Sequence, residues 1–159
     1  MTIRATVRAG ALLVALSSCA LADLLTITFS SSLLTANRGQ TVTFAATIAN
    51  PTAAPVFLNG DDLNVAAPLT IDDTKFFLNT PLFLSAGQSV TVPVFDITAP
   101  LSTPPGLYPG IFTILGGLSA NDLLNVGSAP FAVVVTPEPQ SLLLLITGTI
   151  AALLRRRRH

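Results

Sequence analysis

Tryptophan is absent from this chain, and histidine, cysteine and tyrosine occur once each. The histidine, His159, is the last residue, and the cysteine, Cys19, stands close to the start. The long middle of the chain therefore has no residue from which a Ser-His or Cys-His nucleophilic pair, or a histidine-bound zinc, could be built. Glutamate occurs only as Glu138 and lysine only as Lys75, so acid–base work would fall to aspartate alone. A paired-carboxylate glycosidase is the one such chemistry open to it, and the missing tryptophan removes the usual sugar platform. These scarcities point away from an enzyme.

Charge is scarce as well. Charged residues make up 10% of the chain and hydrophobic ones 50%, an unusual balance for a cytosolic domain. Six of the eight basic residues are Arg4, Arg8, Arg155, Arg156, Arg157 and Arg158, all close to the two ends. Between Asp23 and Val135 only Arg38 and Lys75 oppose seven aspartates, a net charge of −5. An acidic surface of that kind disfavours nucleic acid as a partner.

The apolar excess sits at the ends. Arg4 and Arg8 lead into "AGALLVALSSCALA", which is too short to span a bilayer comfortably and closes on Ala20-Leu21-Ala22. This is the pattern of a secretory signal peptide. The small residues Ala20 and Ala22 suit a peptidase pocket and favour cleavage after Ala22, which would leave the exported part without cysteine and without any disulfide. "LSSC" ending at Cys19 also fits a lipobox, in which Cys19 would be lipidated and become the first mature residue, and that reading stays open.

At the other end, "SLLLLITGTIAALL" (residues 141–154) carries no charge. As a helix it would rise about 21 Å, against a bilayer core of about 30 Å. Such a segment spans only with snorkelling arginines and local thinning, which suits a temporary span better than a permanent one. The arginines that follow fix its orientation, tail inside and everything before it outside. Ahead of it, Pro137 and Pro139 flank Glu138 and hold the chain extended, since each proline fixes φ and disfavours helix at the residue before it.

Pro-Glu-Pro, a short apolar helix and a terminal arginine cluster, in that order, resemble the PEP-CTERM sorting signal of Gram-negative bacteria. The resemblance covers about the last two dozen residues. It implies recognition by a membrane-embedded exosortase that removes the helix and basic tail, with Pro137, Glu138 and Pro139 as the sorting motif. Arg155, Arg156, Arg157 and Arg158 would then be the cytoplasmic retention signal. Thr136 and Gln140, on either side of the motif, depart from the expected flanks and leave the cut position open. The competing reading is an ordinary C-terminal anchor behind a proline linker.

Residues 23–135 have a hydrophobic period of two. "QTVTFAATI" (residues 40–48) puts Val42, Phe44, Ala46 and Ile48 on one face and threonines on the other, and "SVTVPVFDI" (residues 89–97) repeats the alternation. Pro93 falls on the outward face of the second run, which predicts an edge or a bulge. Residues 24–30, 55–59, 75–78, 106–114 and 131–135 are further strand candidates. The segments "NRGQ", "ANPTAAP", "NGDD", "SAGQ", "STPPG" and "LGG" read as turns between them. No amphipathic helix is expected outside the ends. The expected fold is mainly β, an immunoglobulin-like antiparallel β-sandwich flanked by an N-terminal signal peptide (residues 1–22) and a short C-terminal hydrophobic helix within a sorting signal (residues 136–159).

"IANP", "FLSAGQSVTVPVF" and "PPGLYPGIFTILGG", in that order, resemble bacterial Ig-like extracellular modules, loosely and over the whole middle region. That resemblance implies a tyrosine-corner contact for Tyr108, its hydroxyl bonding back to the main chain. It brings no function with it.

Two aspartate pairs are the best local constellation. Asp61 and Asp62 in "NGDDLN", with Asp72 and Asp73 in "IDD", supply the oxygen ligands that calcium prefers, although their spacing matches no calcium-loop signature. Solvated polar turns are the plainer explanation of them. Phe76, Phe77 and Phe83 nearby read either as a binding patch or as alternating core positions. Gly116-Gly117 lacks the lysine and the helix of a phosphate loop and reads as a turn. The expected function is a non-enzymatic exported surface or matrix protein, structural or adhesive, processed by an exosortase. The alternative is a calcium- or polysaccharide-binding module that uses the acidic loops.

Overall fold

A computed structural model describes residues 23–137. The described residues form the strands β1 (Thr26–Phe29), β2 (Leu33–Asn37), β3 (Thr41–Ala49), β4 (Val56–Val65), β5 (Thr70–Asp72), β6 (Phe83–Leu84), β7 (Ser89–Thr98), β8 (Gly106–Gly117) and β9 (Leu124–Thr136), the long ones following the alternation of apolar and polar residues. One short helix, α1 (Thr74–Asn79), interrupts them. The strands form two sheets, ordered β1-β3-β7-β5 and β2-β9-β8-β4-β6. Every pairing is antiparallel except β2 with β9. This is an Ig-like order: β1, β3, β7 and β5 stand where strands A, B, E and D would, and β9, β8 and β4 where G, F and C would.

Phenylalanine does the packing that tryptophan does in many sandwiches. The Phe95 ring lies 4.9 Å from Phe131, 5.0 Å from Phe44, 5.2 Å from Phe112 and 5.9 Å from Phe29, centroid to centroid. These rings come from both sheets and meet in offset and edge-to-face arrangements, so the cluster locks the layers together.

The turns "NRGQ" and "SAGQ" share one construction. Gly39 and Gly87 both take positive φ (77° and 72°). The glutamine after each glycine then returns a main-chain bond, Gln40 N–H to Asn37 O and Gln88 N–H to Ser85 O. Its side-chain oxygen accepts from the main-chain N–H of the residue that opens the turn, Asn37 in one and Ser85 in the other, both at 3.0 Å. Tyr108 makes the expected corner, its Oη donating to Pro104 O at 2.7 Å. Pro93 sits at the irregularity where the β3–β7 register slips between Phe44 and Ala45, the expected bulge.

Four sequence expectations fail locally. Residues 75–78 form α1 rather than a strand. "NGDD" is no turn, because β4 runs on from Val56 to Val65 and absorbs it through an irregularity between Leu58 and Gly60. Gly116 and Gly117 end β8 instead of forming a turn, for there is no space for a side chain: a Cβ on Gly116 would overlap the Phe57 carbonyl, and one on Gly117 the Asp122 side chain. The short strands β2, β5 and β6 lie outside every expected segment.

The chain enters the sandwich at the end that carries the β8–β9 turn, where Leu25 N–H donates to Val126 O. It leaves at the opposite end, where Thr136 Oγ1 donates to Asn37 Oδ1 at 2.7 Å. The expected signal peptide, with Cys19, Ala20 and Ala22, lies outside the described residues, as do Glu138, Pro139, the apolar C-terminal run and Arg155 to Arg158. Among the described residues, no helix is long and apolar enough to cross a membrane.

Candidate functional site

The four candidate aspartates divide by the geometry of the elements that carry them. Past its irregularity, β4 turns Leu63 and Val65 toward the core, and period two places Asp61 on the same inward face while Asp62 and Asn64 face out. Both carboxylate oxygens of Asp61 are buried and neither has a hydrogen-bond partner. Burial, followed by the like charges of Asp73 and Asp62, pushes its pKa up to about 6.

Asp72 closes β5 and is spent locally: its Oδ1 accepts the Thr74 main-chain N–H at 3.0 Å. Hydrogen bonds from Thr74 hold that carboxyl below its ordinary value. Asp73 precedes α1 but makes no side-chain capping bond to it. β5 lies against β4 and the charge of Asp73 reaches Asp61, while Asp62, Asp72 and Asp73 are all exposed. Among the described residues, no group of three or more His, Cys, Asp or Glu is placed to hold a metal ion.

α1 is positioned by what it buries. Phe76 is 1% exposed, with its ring 5.9 Å from that of Phe112 in the core. Lys75, on the adjoining face, donates to Asp96 Oδ1 at 2.7 Å and to Thr43 Oγ1 at 2.9 Å. Helical geometry then forces the neighbouring Phe77 outward to 59% exposure, with Leu78 and Leu82 beyond it and Phe83 at 46%. The two readings of the phenylalanines therefore divide, Phe76 being core and Phe77 and Phe83 surface. A cleft of about 210 Å³ opens beside them, lined by Leu58, Asn59, Phe77, Pro81, Leu82 and Ala120 among others. The Asn59 amide, at the irregularity of β4, donates to Ser119 O and Asp122 O across one wall. Sequence reasoning missed Leu78 and Leu82 and took Asn59 only as part of the acidic stretch, since only a helix and a bulge at these positions put them beside the phenylalanines.

No protein-family model matches the chain, and no curated protein matches it. Solved structures do. Over 72% of this chain, the fold is similar to 7% of native Escherichia coli alpha-2-macroglobulin, with 18% identity and a TM-score of 0.50. A structure of the same protein from domain MG7 to the C-terminus aligns with 71% of this chain over 16% of its own length, at 18% identity and a TM-score of 0.46. The CARDB domain of PF1109 from Pyrococcus furiosus aligns with 71% of this chain over 94% of its length, at 13% identity and a TM-score of 0.42. The chain thus spans a small fraction of the alpha-2-macroglobulin chains. At such identities the likeness concerns fold alone: a mainly β, Ig-like module built of antiparallel sheets.

Proposed function

We propose that this chain is a non-enzymatic exported protein whose Ig-like sandwich is delivered to the cell surface or the exopolysaccharide matrix, with a structural or adhesive role there. In this reading the leader carries the chain to the secretion machinery, and the C-terminal segment holds it briefly in the inner membrane. An exosortase then acts at Pro137-Glu138-Pro139.

The observation that carries the proposal is where the last described strand ends. β9 stays paired with β2 up to Thr136, and the next residue, Pro137, is exposed. A processing enzyme needs an extended, reachable peptide. In this reading the motif would begin at Pro137, directly after the last described strand, so cleavage there would leave every described strand in place. The outer face of the first sheet suits a hydrated polymer matrix. Thr41 pairs with Thr98 and Thr47 with Thr91 through hydroxyl–hydroxyl bonds of 2.7 and 2.8 Å, giving a surface of hydroxyls.

The test is fractionation with intact-mass measurement of wild type and Glu138→Ala. Wild type is expected in the envelope or medium without its C-terminal segment, and the variant larger and held in the membrane. Equal mass and equal release would overturn the sorting reading.

A further inference from the structure

The β8–β9 turn and the residue that follows it carry Leu118, Leu123 and Leu124, which are 64%, 64% and 66% exposed. Single exposed leucines are ordinary, but three in one turn form a patch. Ala120 of the same turn lines the cleft beside Phe77 and Leu82, so the apolar surface continues around that edge of the sandwich. The polar atoms of the turn, by contrast, are bonded to one another. The Ser119 N–H and hydroxyl both donate to the Asp122 carboxylate, at 2.9 and 3.1 Å, and Asp122 N–H returns a bond to Ser119 O. Asn121 N–H donates to Ser119 Oγ, and the Asn59 amide of β4 donates to the carbonyls of Ser119 and Asp122. These bonds hold without water, which is what a loop needs if it is to leave water for an apolar medium.

The same turn marks the pole where the chain enters, since Leu25 N–H bonds to Val126 O. In sequence, the apolar run of residues 9–22 ends directly before Asp23, the first described residue. A membrane that holds that run, or a lipid on Cys19, is therefore tied to the leucine pole by a few residues. We propose that the β8–β9 turn inserts its leucines into the surface of a zwitterionic phospholipid bilayer, standing the sandwich on end with Pro137 at the far pole. Apolar burial drives the contact. Charge sets the lipid preference, because seven aspartates against Arg38 and Lys75 repel anionic headgroups. The inference stands apart from the sorting reading, which concerns the opposite end of the chain.

The chain has no tryptophan, so Leu123→Trp and Leu107→Trp each place a single reporter in the protein purified as the cell produces it. Residue 123 lies in the turn, and the exposed residue 107 lies opposite Val134 toward the other pole. With phosphatidylcholine vesicles the emission of Leu123→Trp should shift to the blue and that of Leu107→Trp should not. Wild type should sediment with those vesicles, and less with vesicles of equal parts phosphatidylcholine and phosphatidylglycerol. Leu118→Ser, Leu123→Ser and Leu124→Ser combined should lower partitioning at least about tenfold. All three side chains are exposed, so the combined variant should melt as wild type does. No blue shift at residue 123, an equal shift at residue 107, stronger binding to the anionic vesicles or undiminished sedimentation of the combined variant would overturn the proposal. So would a dimer seen by light scattering without vesicles and lost in the combined variant, since the leucines would then serve a second copy.

Discussion

At the scale of single residues, two buried polar groups show opposite solutions to one problem. Asn50 is 1% exposed yet fully engaged. Its amide donates to Ala54 O, Leu84 O and Ser85 O, and its Oδ1 accepts from the main-chain N–H and the hydroxyl of Thr52. Asn50→Ala strands several of those groups and should cost about 2–3 kcal/mol in a urea melt. Asp61 has no such partners. Its carboxyl titrates at about 6 in the folded protein against 3.8 ordinarily, so the folded state holds the proton more tightly. Its contribution to stability is therefore complete below pH 3.8 and is lost as pH rises through 6. The melting temperature of Asp61→Asn should exceed that of wild type at pH 7.5, and the two should converge toward pH 4. A constant difference across that range would show that the Asp61 charge does not matter. Neither behaviour was legible in the sequence. "IANP" and "NGDD" both look like turn chemistry, and only the register of β4 turns one carboxylate inward.

Among the elements, those with a long period of two were readable and those held by tertiary contacts were not. β3, β7 and β8 carry their alternation openly. α1 has six residues, no side-chain cap and no acidic first turn. No isolated peptide of that length would be helical; the burial of Phe76 and the Thr80 hydroxyl bonded to Phe76 O at 2.6 Å hold it in place. Phe76→Ala should accordingly cost about 3–5 kcal/mol, while Phe77→Ser, one residue along, should stay within about 0.5 kcal/mol of wild type in the same denaturation assay. If residues 75–78 formed a strand, the two phenylalanines would face opposite sides of a sheet, and Phe76 would lose its contact with Phe112. Gly116 gives a second contrast. Its absent side chain allows β8 to lie against the Phe57 carbonyl of β4, so Gly116→Val should separate these strands and lower stability by more than about 2 kcal/mol, whereas Gly60→Ala meets open space at its Cβ.

For the molecule as a whole, composition foretold the acidic surface and the period of two the sandwich, but neither could say where the chain enters and leaves it. Residues 23 and 137 lie at opposite poles, and β2 runs parallel to β9 with Leu33 opposite Ala132 and Asn37 opposite Thr136. This arrangement has a mechanical consequence. Tension applied between residues 23 and 137 drags β9 toward one pole and the strands nearer the start of the chain toward the other, so the β2–β9 and β1–β3 ladders are loaded in shear and their hydrogen bonds share the force. Pulling from residue 23 and a point in the β8–β9 turn, which lie at the same pole, would peel strands one bond at a time. Single-molecule stretching along the first direction should show the higher rupture force; equal forces would mean that the ladders do not carry the load. A protein tethered at one end and gripped at the other would resist being drawn out along the line of its own strands.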